Sequence, residues 1–129
     1  MDSGFVIEKL LLLESNFKRI DNVSFDENVR NNLDINVEVG VQGDMINVVE
    51  TARVIQTSGE INQVEIMVKM VGVFKKQGDS ELKDLESFGN INGAAIIFPY
   101  IREHISNLSV KAGINPLIIP PVNFTRRDK

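Results

Sequence analysis

Between Leu33 and Phe74 the chain carries two long runs in which apolar and polar residues alternate. In the first, Leu33, Ile35, Val37, Val39 and Val41 are set against Asp34, Asn36, Glu38 and Gly40; in the second, Val64, Ile66, Val68 and Met70 are set against Glu65, Met67, Lys69 and Val71, up to Phe74. A period of two is that of a half-buried strand. A β-branched stretch from Met45 to Thr57 lies between the runs, joined to them through Gln42-Gly43-Asp44 and Ser58-Gly59. Glycine-containing connections this short join antiparallel neighbours, whereas a parallel crossover needs a dozen residues or more. The middle of the chain is therefore expected to form an antiparallel meander.

The segment before the meander supports two readings. Val6, Leu10, Leu13, Phe17 and Ile20 step by four and three, as on an amphipathic helix, while Phe5, Ile7, Leu11, Leu13 and Phe17 fit a long edge strand with a bulge. The local period favours the helix. After Gly78, Ser80 to Glu86 reads as a capped helical turn ending near Gly89. The strongest helix lies between Ile91 and Ala112, with Gly113 as its C-terminal cap. At 100° per residue its apolar positions span about 160°, against the roughly 100° that packing on one sheet requires. The excess calls for a second buried contact, most simply with the same helix of another subunit. Pro99 either kinks this helix or starts it; Phe98 is a poor N-cap, which favours the kink.

Composition narrows the function classes. A length of 129 residues suits one domain, 1–129, and 43% hydrophobic with 25% charged residues lies outside the disordered regime. A net charge of -4 argues against nucleic acid, which requires a clustered excess of Lys and Arg. The N-terminus lacks a basic signal region, and the apolar run Leu10 to Leu13 is far below spanning length, so a cytoplasmic protein without membrane insertion is expected. Cysteine is absent, which fits a reducing compartment and excludes disulfides and thiolate metal sites. With His104 as the single histidine, most catalytic constellations are excluded as well. His104 reads as a core-edge or interface residue, the scattered acidic residues as a solvated face, and Gly89-Asn-Ile-Asn-Gly93, without a phosphate-binding spacing, as a plain loop. No enzyme, cofactor or metal is expected; the chain reads as a binding protein.

Phe98-Pro99-Tyr100-Ile101-Arg102-Glu103, followed by Pro121-Val122-Asn123-Phe124, resembles the signature of SecB, the bacterial protein-export chaperone family. Gly72-Val73-Phe74 is similar to the G-x-F close of that family's last strand, and the order of segments from Phe5 to Phe124 matches throughout. The resemblance implies an α+β fold: a four-stranded antiparallel Greek-key-like sheet packed on one long Pro-containing helix. It also implies a strand at Phe5 to Phe17, a crossover loop from Ile20 to Asn32, and a dimer of dimers with its helices between two eight-stranded sheets. SecB-like proteins hold unfolded polypeptides in apolar grooves without nucleotide. Carried over by position, the peptide-binding residues are Val64, Ile66, Val68 and Met70 with Leu33 and Ile35 beside them, and Phe25 on the crossover loop. Ile97, Ile101, Ile105 and Leu108 of the helix form the expected oligomer interface.

The departures from the family's pattern bear on its partners. The family continues past P-V-N-F into a second helix and a tail that engages the motor SecA; Thr125-Arg126-Arg127-Asp128-Lys129 follow it here, which implies that the tail contact is missing. Glu14 matches an acidic sheet position used toward SecA, but Lys18 and Met67 fall where acidic residues are expected. Three functions are therefore open: a general export holdase, a dedicated chaperone for one client such as an antitoxin, or a structural oligomer that has lost the groove.

Overall fold

The computed structural model describes residues 4–78, 82–115, 117, 119 and 122–126. Four antiparallel strands, β1 (Phe5–Arg19), β2 (Val29–Gln42), β3 (Met45–Ser58) and β4 (Ile61–Lys76), form one sheet in the order β1-β4-β3-β2. Gly43-Asp44 and Gly59-Glu60 close the two hairpins. In each the glycine has a positive φ, 63° and 61°, and the residue after it does not. That is the type II′ pattern, whose twist matches the flanking strands. β2, β3 and β4 make the expected meander, and β1 returns beside β4, which gives the Greek-key order.

β1 is a strand, and its pairing explains the conflicting periods in its sequence. Ile7, Leu10, Leu12, Ser15, Phe17 and Arg19 lie opposite Phe74, Gly72, Met70, Val68, Ile66 and Val64, all of them buried. Register shifts between Ile7 and Lys9 and between Leu12 and Glu14 each insert an extra residue, so steps of three appear among steps of two. The mixture imitates a helical repeat. Of the helix-patterned residues, only Leu10 and Phe17 pack on the core; Val6, Leu13 and Ile20 are exposed. β2 begins at Val29, so the crossover is residues 20–28, shorter than the family pattern implied.

One face of the sheet is covered by α1 (Leu82–Phe88), a π-helical turn at Gly89–Gly93, and α2 (Ala94–Lys111). The expected start of α1 at Ser80 lies outside the described residues. The glycine-rich stretch expected as a plain loop is a helical turn seated directly on the sheet. A Cβ at Gly89 would stand 2.6 Å from Val39 Cγ1, and one at Gly93 would stand 2.9 Å from Val48 Cγ2, so the backbone itself fills the contact. Pro99 falls inside α2 rather than starting it, and Gly113 follows the last turn with φ 71°.

Ile97, Ile101 and Ile105 are fully buried in the same core cluster as Val48, Val64, Val68 and Phe74. The other flank of α2 is covered by the chain that follows it. Ile114, Leu117 and Phe124 are buried, the Phe98 and Phe124 rings meet edge to face with centroids 5.7 Å apart, and the Arg102 guanidinium lies over the Phe98 ring, 5.7 Å from its centroid. Phe124 thus shares a buried cluster with Ala94 and Phe98, two residues of the broad apolar arc for which a second subunit was expected. No described helix is long and apolar enough to cross a membrane.

Candidate functional site

The crossover between β1 and β2 is short and mostly polar, and side chains anchored in the sheet hold it. Arg19, at the end of β1, donates from Nε to the Ile20 carbonyl at 2.9 Å and from Nη2 to the Asp21 carbonyl at 2.8 Å. Its Nη1 donates to the Ala112 carbonyl at the end of α2, linking loop and helix. Gln63, only 2% exposed, donates from Nε2 to the Ser24 carbonyl and accepts at Oε1 from the Ser24 N–H, both at 2.8 Å. Asp26 then accepts from the Asn28 N–H at 2.9 Å, a short polar turn of the kind Asp favours. Between these anchors Phe25 is 58% exposed.

Phe25 stands at a cavity of about 180 Å³. Val29, Ile114 and Leu117 supply apolar lining, and Asn31, Gln56 and Asn115 supply amides. Asn31 and Gln56 are opposite one another on β2 and β3, and Gln56 Nε2 donates to Asn31 Oδ1 at 3.0 Å. Aromatic and aliphatic walls beside amide groups suit an extended peptide, which offers apolar side chains and main-chain carbonyls together.

The expected peptide-binding residues do not share one surface. Val64, Ile66, Val68 and Met70 are between 0% and 9% exposed, in the core beneath the chain's own helix. Their alternation marks the core face of β4. Leu33 and Ile35 are half-buried on β2 and pack against the cluster of Ala94, Phe98 and Phe124. Of the set, Phe25 lines the cavity.

The interface expected on α2 needs the same correction. Ile97, Ile101 and Ile105 are spent on the sheet, and Leu108 is half-buried. The outward apolar residues of the helix are Ile96, Tyr100 and Val110. His104 is half-buried at the core edge, with Nε2 2.8 Å from Ser15 Oγ of β1. Glu50, fully buried on the helix-facing side of β3, departs from the expected solvated acidic face. Among the described residues no cluster of His, Cys, Asp and Glu is arranged to hold a metal.

The outer face of the sheet is mixed in charge. Glu14 is exposed opposite Lys69, Lys18 is opposite Glu65, and Asp34 is opposite Arg53. A shallow depression of about 290 Å³ lies there between Lys18, Arg53, Ile55 and Met67.

Residues 6–126 match the sequence model described as preprotein translocase subunit SecB. The chain belongs to the SecB family. A SecB protein-export protein of Nitrosomonas europaea is 36% identical over 86 residues, covering 65% of this chain and 53% of that one. An uncharacterized protein of Methanocaldococcus jannaschii is 33% identical over 103 residues, 76% of this chain and 65% of its own length. This SecB-family chain thus spans between about half and two thirds of these relatives. The solved structure of a SecB-like chaperone of Mycobacterium tuberculosis, in complex with a peptide from an antitoxin, superposes with a TM-score of 0.79. Identity there is 14%, with 93% of this chain and 92% of that one covered, so the likeness is one of fold. Within the SecB-family fold the sequence reading missed Gln63, Gln56 and Asn31. Gln63 falls in the polar phase of β4 with Glu65 and Lys69, so its residue type carries no sign of its burial.

Proposed function

We propose that this SecB-family chain is an ATP-independent holdase that binds non-native polypeptide at the cavity beside Phe25. The observation that carries the reading is the exposed Phe25 ring, held over an apolar wall and amide groups by a crossover whose main chain is bonded into the sheet. A folded client hides the side chains that such a surface would take up, so selection follows from competition with folding rather than from a sequence code. An extended contact burying on the order of 1,000 Å² yields about 25 kcal/mol gross, most of it offset by association and ordering, which leaves about micromolar affinity and release without nucleotide.

The assembly proposed is the family's dimer of dimers. Its joining surfaces are reassigned to the β1 edge, where Leu11, Leu12 and Leu13 are about half exposed, and to Ile96, Tyr100 and Val110 of α2. A dedicated client such as an antitoxin is the second reading. It is favoured by the mixed outer face, where Glu14 faces Lys69 and where Lys18 and Met67 replace acidic residues expected toward SecA. The deciding experiment is suppression of aggregation of a chemically denatured client at stoichiometric protein. The wild type is expected to suppress it, and Phe25→Asp to lose most of that effect at unchanged native mass. Equal suppression by both proteins would remove Phe25 from the site, and none by the wild type would end the holdase reading.

A further inference from the structure

We infer that Gln63 is a positioning residue for client binding, a buried amide that sets the place of Phe25; the inference rests on the reading of the Phe25 cavity given above. β4 is irregular at this point. Val64 pairs with Gln56 and Asn62 pairs with Thr57, so Gln63 is the extra residue of a bulge. Elsewhere on β4 buried residues alternate with more open ones, but Gln63 and Val64 are buried consecutively. A bulge redirects a side chain in this way, and bulges concentrate beside functional sites.

The redirected amide is fully used. Both of its N–H groups donate, to the Ser24 carbonyl at 2.8 Å and to Gln56 Oε1 at 2.7 Å, while its oxygen accepts from the Ser24 N–H at 2.8 Å. Gln63 therefore grips both main-chain groups of the residue just before Phe25. Its own main-chain carbonyl accepts from Ile20 N–H at 3.1 Å, at the other end of the same stretch. Through Gln56 the amides continue to Asn31, so the line that fixes the loop also supplies polar lining to the cavity. An apolar residue of similar shape would leave Ser24 and Gln56 without these partners, and the loop would have to turn toward water to regain them. Phe25 would then be ordered only on binding, at a cost in affinity.

The test uses the full chain and a fluorescent, reduced and carboxymethylated protein as a permanently unfolded probe. Gln63→Met and Phe25→Ala are each expected to weaken capture, Gln63→Met by roughly tenfold. The double variant is expected to bind no worse than Phe25→Ala alone, because Gln63 acts through that ring. Hydrogen exchange at the Ser24 amide is expected to speed up in Gln63→Met and to stay slow in Phe25→Ala. Wild-type capture by Gln63→Met, or losses that multiply in the double variant, overturns the inference. If Gln63→Met loses its cooperative unfolding transition, Ser24→Pro deletes the donor from the loop side and is held to the same pattern of capture, alone and combined with Phe25→Ala. Weak capture by Phe25→Ala with normal capture by Gln63→Met defeats the positioning role alone, whereas normal capture by Phe25→Ala defeats the cavity reading and this role with it.

Discussion

At one edge of the sheet, β1 leaves Val6, Ile7, Leu11, Leu12 and Leu13 between 37% and 51% exposed; at the other, β2 exposes Arg30, Asn32, Asp34, Asn36 and Glu38 and turns its aliphatic residues inward. Both strands end the same sheet and are of similar length, 15 and 14 residues. They differ in phase. β2 keeps an unbroken register against β3, so from Leu33 to Val41 one side is apolar and the other mostly polar. β1 is shifted twice against β4, and its four consecutive leucines, Leu10 to Leu13, put apolar side chains on both sides of the edge. Charged and amide side chains make a free edge a poor template for another strand, and bare leucines make a good one. The two ends of the sheet thus suit different neighbours: another copy of the chain at β1, and solvent or a client near the Phe25 end of β2.

The largest expected effect separates the two edges directly. Burying one leucine is worth about 1.5–3 kcal/mol, so Leu11→Asp with Leu13→Asp is expected to weaken self-association at least about a hundredfold. Asn32→Lys with Asn36→Lys on β2 is expected to leave native mass unchanged. Mass measured over a dilution series checks both. A collapse caused by the β2 pair and not by the β1 pair would reverse the assignment of the edges.

The same contrast explains what could be read in the residues. The meander was legible because β2 and most of β4 alternate, β3 is rich in β-branched residues and the hairpin glycines sit where the turns need them, and α2 because its apolar residues recur at helical spacing. The extent of β1 was not, because two inserted residues break the parity on which strand reading depends; there the family signature at Phe98 to Arg102 and Asn123-Phe124 identified the strand. Phe25 was found through the resemblance and is exposed at a cavity. Val64, Ile66, Val68 and Met70 were assigned to the groove by position within the family, and they lie in the core; their alternation shows that a face is covered, without showing what covers it. Gln63 was invisible for a similar reason: its role depends on a bulge and on Ser24, 39 positions away in the chain.

A smaller effect is expected where the helical layer approaches β2. Gly89→Ala would place a methyl group 2.6 Å from Val39 Cγ1, and overpacking of this kind costs about 1–3 kcal/mol. In urea unfolding, the destabilisation by Gly89→Ala is expected to shrink markedly in a Val39→Ala background, because the contacting methyl is gone. An equal loss in both backgrounds would mean that the glycine is needed for its backbone and not for the close approach to β2.

The smallest effect is expected at the matching contact on β1. There α2 reaches the edge strand through Ser15 Oγ and His104 Nε2 at 2.8 Å, a hydrogen bond open to solvent. Such a bond contributes about 0.5–1.5 kcal/mol net, and exposure places this one near the low end. β1 is held chiefly by its pairing with β4, from Phe5 opposite Lys76 to Arg19 opposite Val64. Ser15→Ala is therefore expected to shift the urea midpoint only slightly, and adding His104→Ala is expected to cost less than the sum of the two single changes, since they share one bond. A loss of several kcal/mol from Ser15→Ala would show that the helix fastens this edge. The leucines beside it would then owe their exposure to a tethered strand, and the contrast with β2 would no longer speak for a second copy.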